Sequence, residues 1–169
     1  MTNSMHQFLP NVFIKQPIPD VLPAELEAVI EGLVKTEDRE SFLKEAFFFV
    51  VNRWGGNRIN FILKFQRLFE KDLNKILATE GYLHCTTMNF LLRVMAVKSG
   101  LFQDEEIRLR WTHTWYLVPH QYLKIRIAAG KTINLDPWNY QYGVDYGKVG
   151  SGFASIRFKP IRGGGVVDW

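Results

Sequence analysis

Cys85 is the only cysteine in the 169-residue chain. A lone thiol becomes a candidate nucleophile when a histidine can activate it and an acid can orient that histidine. His120 and Asp136 follow in that order. Thiolate, imidazole and carboxylate together are the groups needed to attack an acyl carbon and protonate its leaving group. The plain alternative is that Cys85 is a small buried hydrophobe.

Each of the three must then be placed by its element. Cys85 sits where Gly81-Tyr82-Leu83-His84 gives way to an apolar helix ending at Gly100. Met88, Leu91, Leu92, Met95 and Ala96 recur at helical spacing, and Phe90, Val94 and Val97 cover the other side. The pattern predicts a helix buried nearly all round, with Thr86 and Thr87 capping its start. A thiol in the first turn feels the positive end of the helix macrodipole, which favours its anionic form.

After Gly100 the period changes. Ile107 to Val118 alternates and is rich in aromatic and β-branched residues, which predicts a strand interrupted by Pro119. A second strand, His120–Ile127, turns at Ala129-Gly130-Lys131 into a third, Thr132–Asp136, stopped by Pro137. In such a meander the start of one strand and the end of its antiparallel neighbour lie side by side. His120 and Asp136 are therefore expected at one edge of the sheet, within hydrogen-bonding reach.

Upstream, Pro10, Pro17, Pro19 and Pro23 predict an extended arm over residues 1–22. Helices are expected over Ala24–Lys35, Asp38–Asn52 and Arg58–Ala78, the last with Ile62, Phe65, Phe69, Leu73 and Ile76 as its buried stripe. Arg53-Trp54-Gly55-Gly56-Asn57 reads as a break. One further strand is expected near Ser155–Lys159, and the Gly163-Gly164-Gly165 run reads as part of a flexible tail. Helices first and strands afterwards give an α+β class. A helical half (23–100), with a buried nucleophile helix, packs on an antiparallel meander (105–160). The tail is 161–169, and the whole is one domain.

Composition narrows the function classes. One cysteine excludes an internal disulfide. The net charge of +4 is spread among acids, which argues against nucleic acid or an anionic membrane as partner. Met1–Pro10 lacks the basic and apolar regions of a secretory leader, so a cytoplasmic location is expected. The longest apolar run, Ala46–Val51, is too short to span a bilayer. The histidines lack metal-site spacing, so no metal or organic cofactor is expected.

Three segments together resemble the transglutaminase-like superfamily, which shares its core with papain-like cysteine peptidases. Gly81–Gly100 is similar to that family's nucleophile helix, with a glycine shortly before the cysteine and a leucine-leucine-arginine run before the closing glycine. His120-Gln121-Tyr122 is similar to its His-Ala-Trp at a strand start, and Asp136-Pro137-Trp138 to its Asp-Pro motif. The chain departs from the family at Leu101-Phe102-Gln103-Asp104, where Ile-Pro-Ala-Arg is usual, and at Gln121, where the residue is small.

The resemblance covers Gly81–Trp138. It implies a papain/transglutaminase-like fold, with Cys85 as nucleophile, His120 as general base and acid, and Asp136 as the orienting carboxylate. The activity it implies is acyl transfer from, or cleavage of, an amide bond through a thioester. The substrate would be a protein or peptide, at a glutamine side chain or a peptide bond, or else a small amide, with an amine or water as acceptor. A scaffold that binds protein but has lost efficient chemistry is the alternative.

Trp115, Trp138 and Gln121 are the candidate substrate contacts. The backbone N–H of Cys85 is the natural first oxyanion donor. The second is open among Gln66, Asn89, Gln121 or another backbone N–H. His113-Thr114-Trp115 mimics the histidine motif, but His113 falls inside a strand and too far from Asp136 for one hairpin. His84 reads as a surface or capping group, and His6 lies in the arm.

Overall fold

The computed structural model describes residues 15–35, 38–57, 60, 63–64, 67–68, 70–114 and 118–151. Among them the chain is mixed α and β, with helices packed on an antiparallel three-stranded sheet. The elements are α1 (Ala24–Val34), α2 (Arg39–Arg53), β1 (Trp54–Gly55), α3 (Leu73–Leu77), β2 (Gly81–Tyr82) and α4 (Cys85–Lys98). A 3₁₀ turn (Asp104–Glu106) leads into β3 (Ile107–Thr114), β4 (Val118–Ala128), β5 (Lys131–Leu135) and α5 (Pro137–Tyr140).

Helix α4 is the centre. Every residue from Cys85 to Ala96 is buried, as the all-round apolar pattern predicts. Leu91, Leu92, Met88 and Met95 are almost fully enclosed in one core with Phe42, Phe47 and Val50 of α2 and Leu123, Ile125 and Leu135 of the sheet. Burying each large side chain stabilises by roughly 1.5–3 kcal/mol, so this core fixes the helix against the sheet. Gly100 closes the helix with φ +76°, a left-handed conformation that suits glycine.

The sheet runs β3-β4-β5. Ile107 pairs with Ile125 and Leu109 with Leu123, while Ile133 pairs with Ile125 and Leu135 with Leu123, so the apolar residues share one face. A separate parallel pair joins Trp54 to Gly81 and Gly55 to Tyr82, which ties the end of α2 to the entry of α4.

The aromatic run of α2 anchors the segment after the sheet. Phe47 meets Phe48, Tyr140 and Tyr146 edge to face, with centroids 5.6, 5.6 and 5.3 Å away. On the far side, Arg93 of α4 grips Asp104 with two hydrogen bonds of 2.6 and 3.0 Å and donates to the Gln16 carbonyl at 2.6 Å. The arm is thereby strapped along the C-terminal half of the helix. Among the described residues, no helix is long and apolar enough to cross a membrane.

Several boundaries differ from expectation. Thr86 and Thr87 do not cap α4. The helix begins at Cys85, its N-cap is His84 in extended conformation, and both threonine hydroxyls are buried without a hydrogen bond among the described residues. The long third helix is not continuous. The Glu70 side chain accepts from Lys71 and Asp72 N–H, and Asp72 caps a new short helix by accepting from Asn74 N–H at 2.9 Å. Polar side chains that bond the backbone compete with helix continuation.

Residues 58, 59, 61, 62, 65, 66 and 69 of that stretch lie outside the described residues, as do the strand expected near Ser155–Lys159 and the tail. Pro119 does not interrupt a strand. It is the second residue of β4, opposite His113. A proline near a strand start forfeits little of the ladder.

Candidate active site

The parallel β1–β2 pair sets the site's entrance. Gly81, at φ +71°, turns the chain into Tyr82-Leu83-His84, and Cys85 opens α4 as its first residue. The first intrahelical bond runs from Met88 N–H to the His84 carbonyl at 2.9 Å. The N–H groups of Cys85, Thr86 and Thr87 therefore have no acceptor within the helix. They are donors at the positive end of the helix, beside the thiol. Cys85 is 7% exposed.

His120 stands on β4 opposite Thr112 of β3 and is 2% exposed. Its Nε2–H donates to Asp136 Oδ1 at 2.7 Å. The Cys85 side chain is a second neighbour of the ring. Burial disfavours a charged imidazole here. The Asp136 charge and hydrogen bond, with the adjacent Cys85 sulfur, outweigh it and push the His120 pKa up to about 10. The charged form of the imidazole is thus favoured, between the Asp136 carboxylate and the thiol.

Asp136 follows β5 and caps α5. Its two oxygens are saturated. Oδ1 accepts from His120 and from Asn139 N–H at 3.2 Å; Oδ2 accepts from Asn139 Nδ2 and Gly150 N–H, both at 2.9 Å. A carboxylate with all four acceptor positions used cannot rotate away from the imidazole.

Trp138 packs over His120 with ring centroids 5.6 Å apart and rests against Tyr142 at 5.3 Å. Gly56 makes room for it, since a Cβ there would lie 2.4 Å from the indole. Tyr142 donates its hydroxyl to the Gly56 carbonyl at 3.1 Å.

The three triad candidates are therefore brought together. The other candidates are distributed differently. Trp138 is buried as the cover of the His120–Asp136 pair, and Gln121 is buried against Asn89. Trp115 and Gln66 lie outside the described residues, as does His6. Asn89 directs its amide at Gln121. His113 is exposed on β3, and among the described residues no hydrogen bond joins it to the site.

His84 corrects a reading. It is buried, not on the surface, with Nε2–H donating to the Lys64 carbonyl at 3.1 Å and Nδ1 accepting from the Tyr82 hydroxyl at 3.1 Å. Burial first, and the Arg67 charge as well, push its pKa down and override the Lys64 hydrogen bond. Burial likewise raises Tyr82, helped by Cys85 and Tyr142.

Sequence reasoning missed Asn139, Gly150, Gly56 and Tyr142. Only the Gly-Gly pair left a signal, as a site of close backbone approach.

Among the described residues, no group of three or more His, Cys, Asp or Glu is arranged to hold a metal ion. Comparison with protein-family models, with curated proteins and with solved structures gives no match.

Proposed function

We propose that the protein is a cysteine hydrolase or acyltransferase of papain/transglutaminase-like architecture, acting on an amide of a protein or peptide through a thioester at Cys85. The observation that carries this reading is the position of His120, hydrogen-bonded to Asp136 at 2.7 Å with the Cys85 side chain beside it.

In the first half-reaction the Cys85 thiolate attacks the carbonyl carbon. A C–S bond forms and the carbonyl π pair moves to oxygen, where the free N–H groups of the helix start offer donors. Collapse breaks the C–N bond, and His120 gives its proton to the departing amine. In the second half, water or an amine passes a proton to His120 and attacks the thioester, and the sulfur leaves as thiolate. Asp136 keeps the ring of His120 oriented throughout both halves.

The near-complete burial of Cys85 and His120 favours a second reading, a protein-binding scaffold with slow chemistry. The test is the rate of Cys85 alkylation by iodoacetamide against pH. The proposal expects fast labelling at neutral pH that His120→Ala slows by about two orders of magnitude. The reading fails if His120→Ala labels as the wild type does. Fast, His120-dependent labelling without turnover on any amide library would select the scaffold.

A further inference from the structure

We infer that Asn89 is a positioning residue, a clamp that holds the helix of Cys85 and the strand of His120 at reacting distance. The inference rests on the proposed Cys85–His120 chemistry and assigns a task to a side chain that does not touch the reacting atoms.

Asn89 is four residues after Cys85, so it lies on the same face of α4, about 6 Å further along the axis. It is fully buried. Its Nδ2 donates to the Gln121 main-chain carbonyl at 2.8 Å, with a longer contact to Gln121 Oε1 at 3.4 Å. Gln121 follows His120 directly. One amide therefore links the two elements at a point one turn from the nucleophile and one residue from the base.

The amide orientation is fixed by chemistry. Flipping it would set Oδ1 against the main-chain carbonyl oxygen of Gln121. Asn89 Oδ1 itself accepts nothing among the described residues. A polar side chain in an otherwise apolar buried helix face costs stability unless its bond returns something. Leucine would fill the site without that cost. What the asparagine adds is a directional tie.

Such a tie adds to the packing. The first residues of β4 pair with β3 on one side, but β5 pairs with β4 only from Leu123 onward, so on the other side they lack a strand neighbour. Beyond that point, leucine and isoleucine contacts hold α4 to the sheet, and apolar contacts tolerate sliding. A hydrogen bond of 2.8 Å does not. Reacting groups lose about two orders of magnitude when displaced by about 1 Å.

The test compares Asn89→Leu, His120→Ala and wild type by iodoacetamide alkylation of Cys85 at pH ~6.5 and pH ~10. At the higher value an ordinary thiol is largely ionised, since it titrates near ~8.5. Loss of the clamp should lower labelling at the lower pH by about tenfold or more and leave it nearly unchanged at the higher one. A fall by equal factors at both pH values, or none, with thermal stability alone reduced, overturns the clamp and leaves Asn89 a packing residue.

Should Asn89→Leu fail to fold, Asn89→Ser, too short to reach Gln121, is judged by the same ratio. If His120→Ala shifts the ratio and the Asn89 variants do not, the clamp alone is wrong. If His120→Ala leaves the ratio unchanged, the Cys85–His120 reading falls and takes the clamp with it.

Discussion

Replacing Gly56 with alanine should damage the site from outside the triad. The added Cβ would stand 2.4 Å from the Trp138 indole, whereas ordinary contact begins at 3.4 Å. Indole or backbone must retreat by about 1 Å. The backbone cannot yield easily, because the Gly56 carbonyl holds the Tyr142 hydroxyl and Gly55 is paired with Tyr82. The indole therefore moves, and it rests on His120 and Tyr142.

Overpacking of this kind costs about 1–3 kcal/mol. A shift of that size in the groups next to the reacting atoms costs about 10²-fold in rate. Urea denaturation at neutral pH reads the first effect, and iodoacetamide labelling of Cys85 at pH ~6.5 reads the second. A Gly56→Ala protein with wild-type stability and wild-type labelling would refute the close packing of Trp138 on the His120–Asp136 pair.

Other substitutions and pH give further tests. Asp136→Asn should lower any turnover by about 10⁴-fold, because an amide cannot stabilise the imidazolium and favours the wrong tautomer; undiminished turnover would leave Asp136 as the cap of α5 only. His113→Ala should leave labelling of Cys85 within about twofold of wild type, since the side chain is exposed on β3; a large loss would reverse the assignment of the base.

Stability should depend on pH with two opposite limbs. His120 is pushed up to about 10 in the folded state, so its contribution is complete below ~6.5 and is lost as pH rises through about 10. His84, pushed down by burial, contributes fully above ~6.5, and that contribution is lost as pH falls below it. Denaturation curves at pH ~5, ~7 and ~9.5 should show His84→Asn flattening the acid limb and His120→Asn the alkaline one. Unchanged slopes would contradict both assignments.

The placement of Cys85 at a helix start and of His120 beside Asp136 was legible because each stands where a change of period marks the end of an element. Cys85 precedes the first apolar helical repeat, and His120 and Asp136 bracket a hairpin whose turn and flanking prolines are visible in the sequence. The all-round burial of α4 was legible for the same reason. The supports of Asp136 were not. Asn139 and Gly150 reach it from a turn-rich segment without periodicity, and their bonds depend on where Phe47 seats Tyr140 and Tyr146.

The break at Glu70–Asp72 was masked by an apolar stripe that continues through Leu73 and Ile76, although the caps that end it are local. His84 was misjudged because a polar residue beside a helix start usually faces water. Here Tyr82 and the Lys64 carbonyl satisfy it inside.

The most direct measurement is intact-protein mass spectrometry after mixing the wild type with an activated nitrophenyl ester, quenched over time at neutral pH. Cys85 as a His120-activated nucleophile predicts a burst of nitrophenol and one acyl group on the protein. That group should map to Cys85, be released by hydroxylamine as a thioester is, and be absent in folded Cys85→Ala. Formation should slow by about two orders of magnitude in His120→Ala. An acyl group that maps elsewhere, or one that forms equally fast without His120, would contradict the assignment.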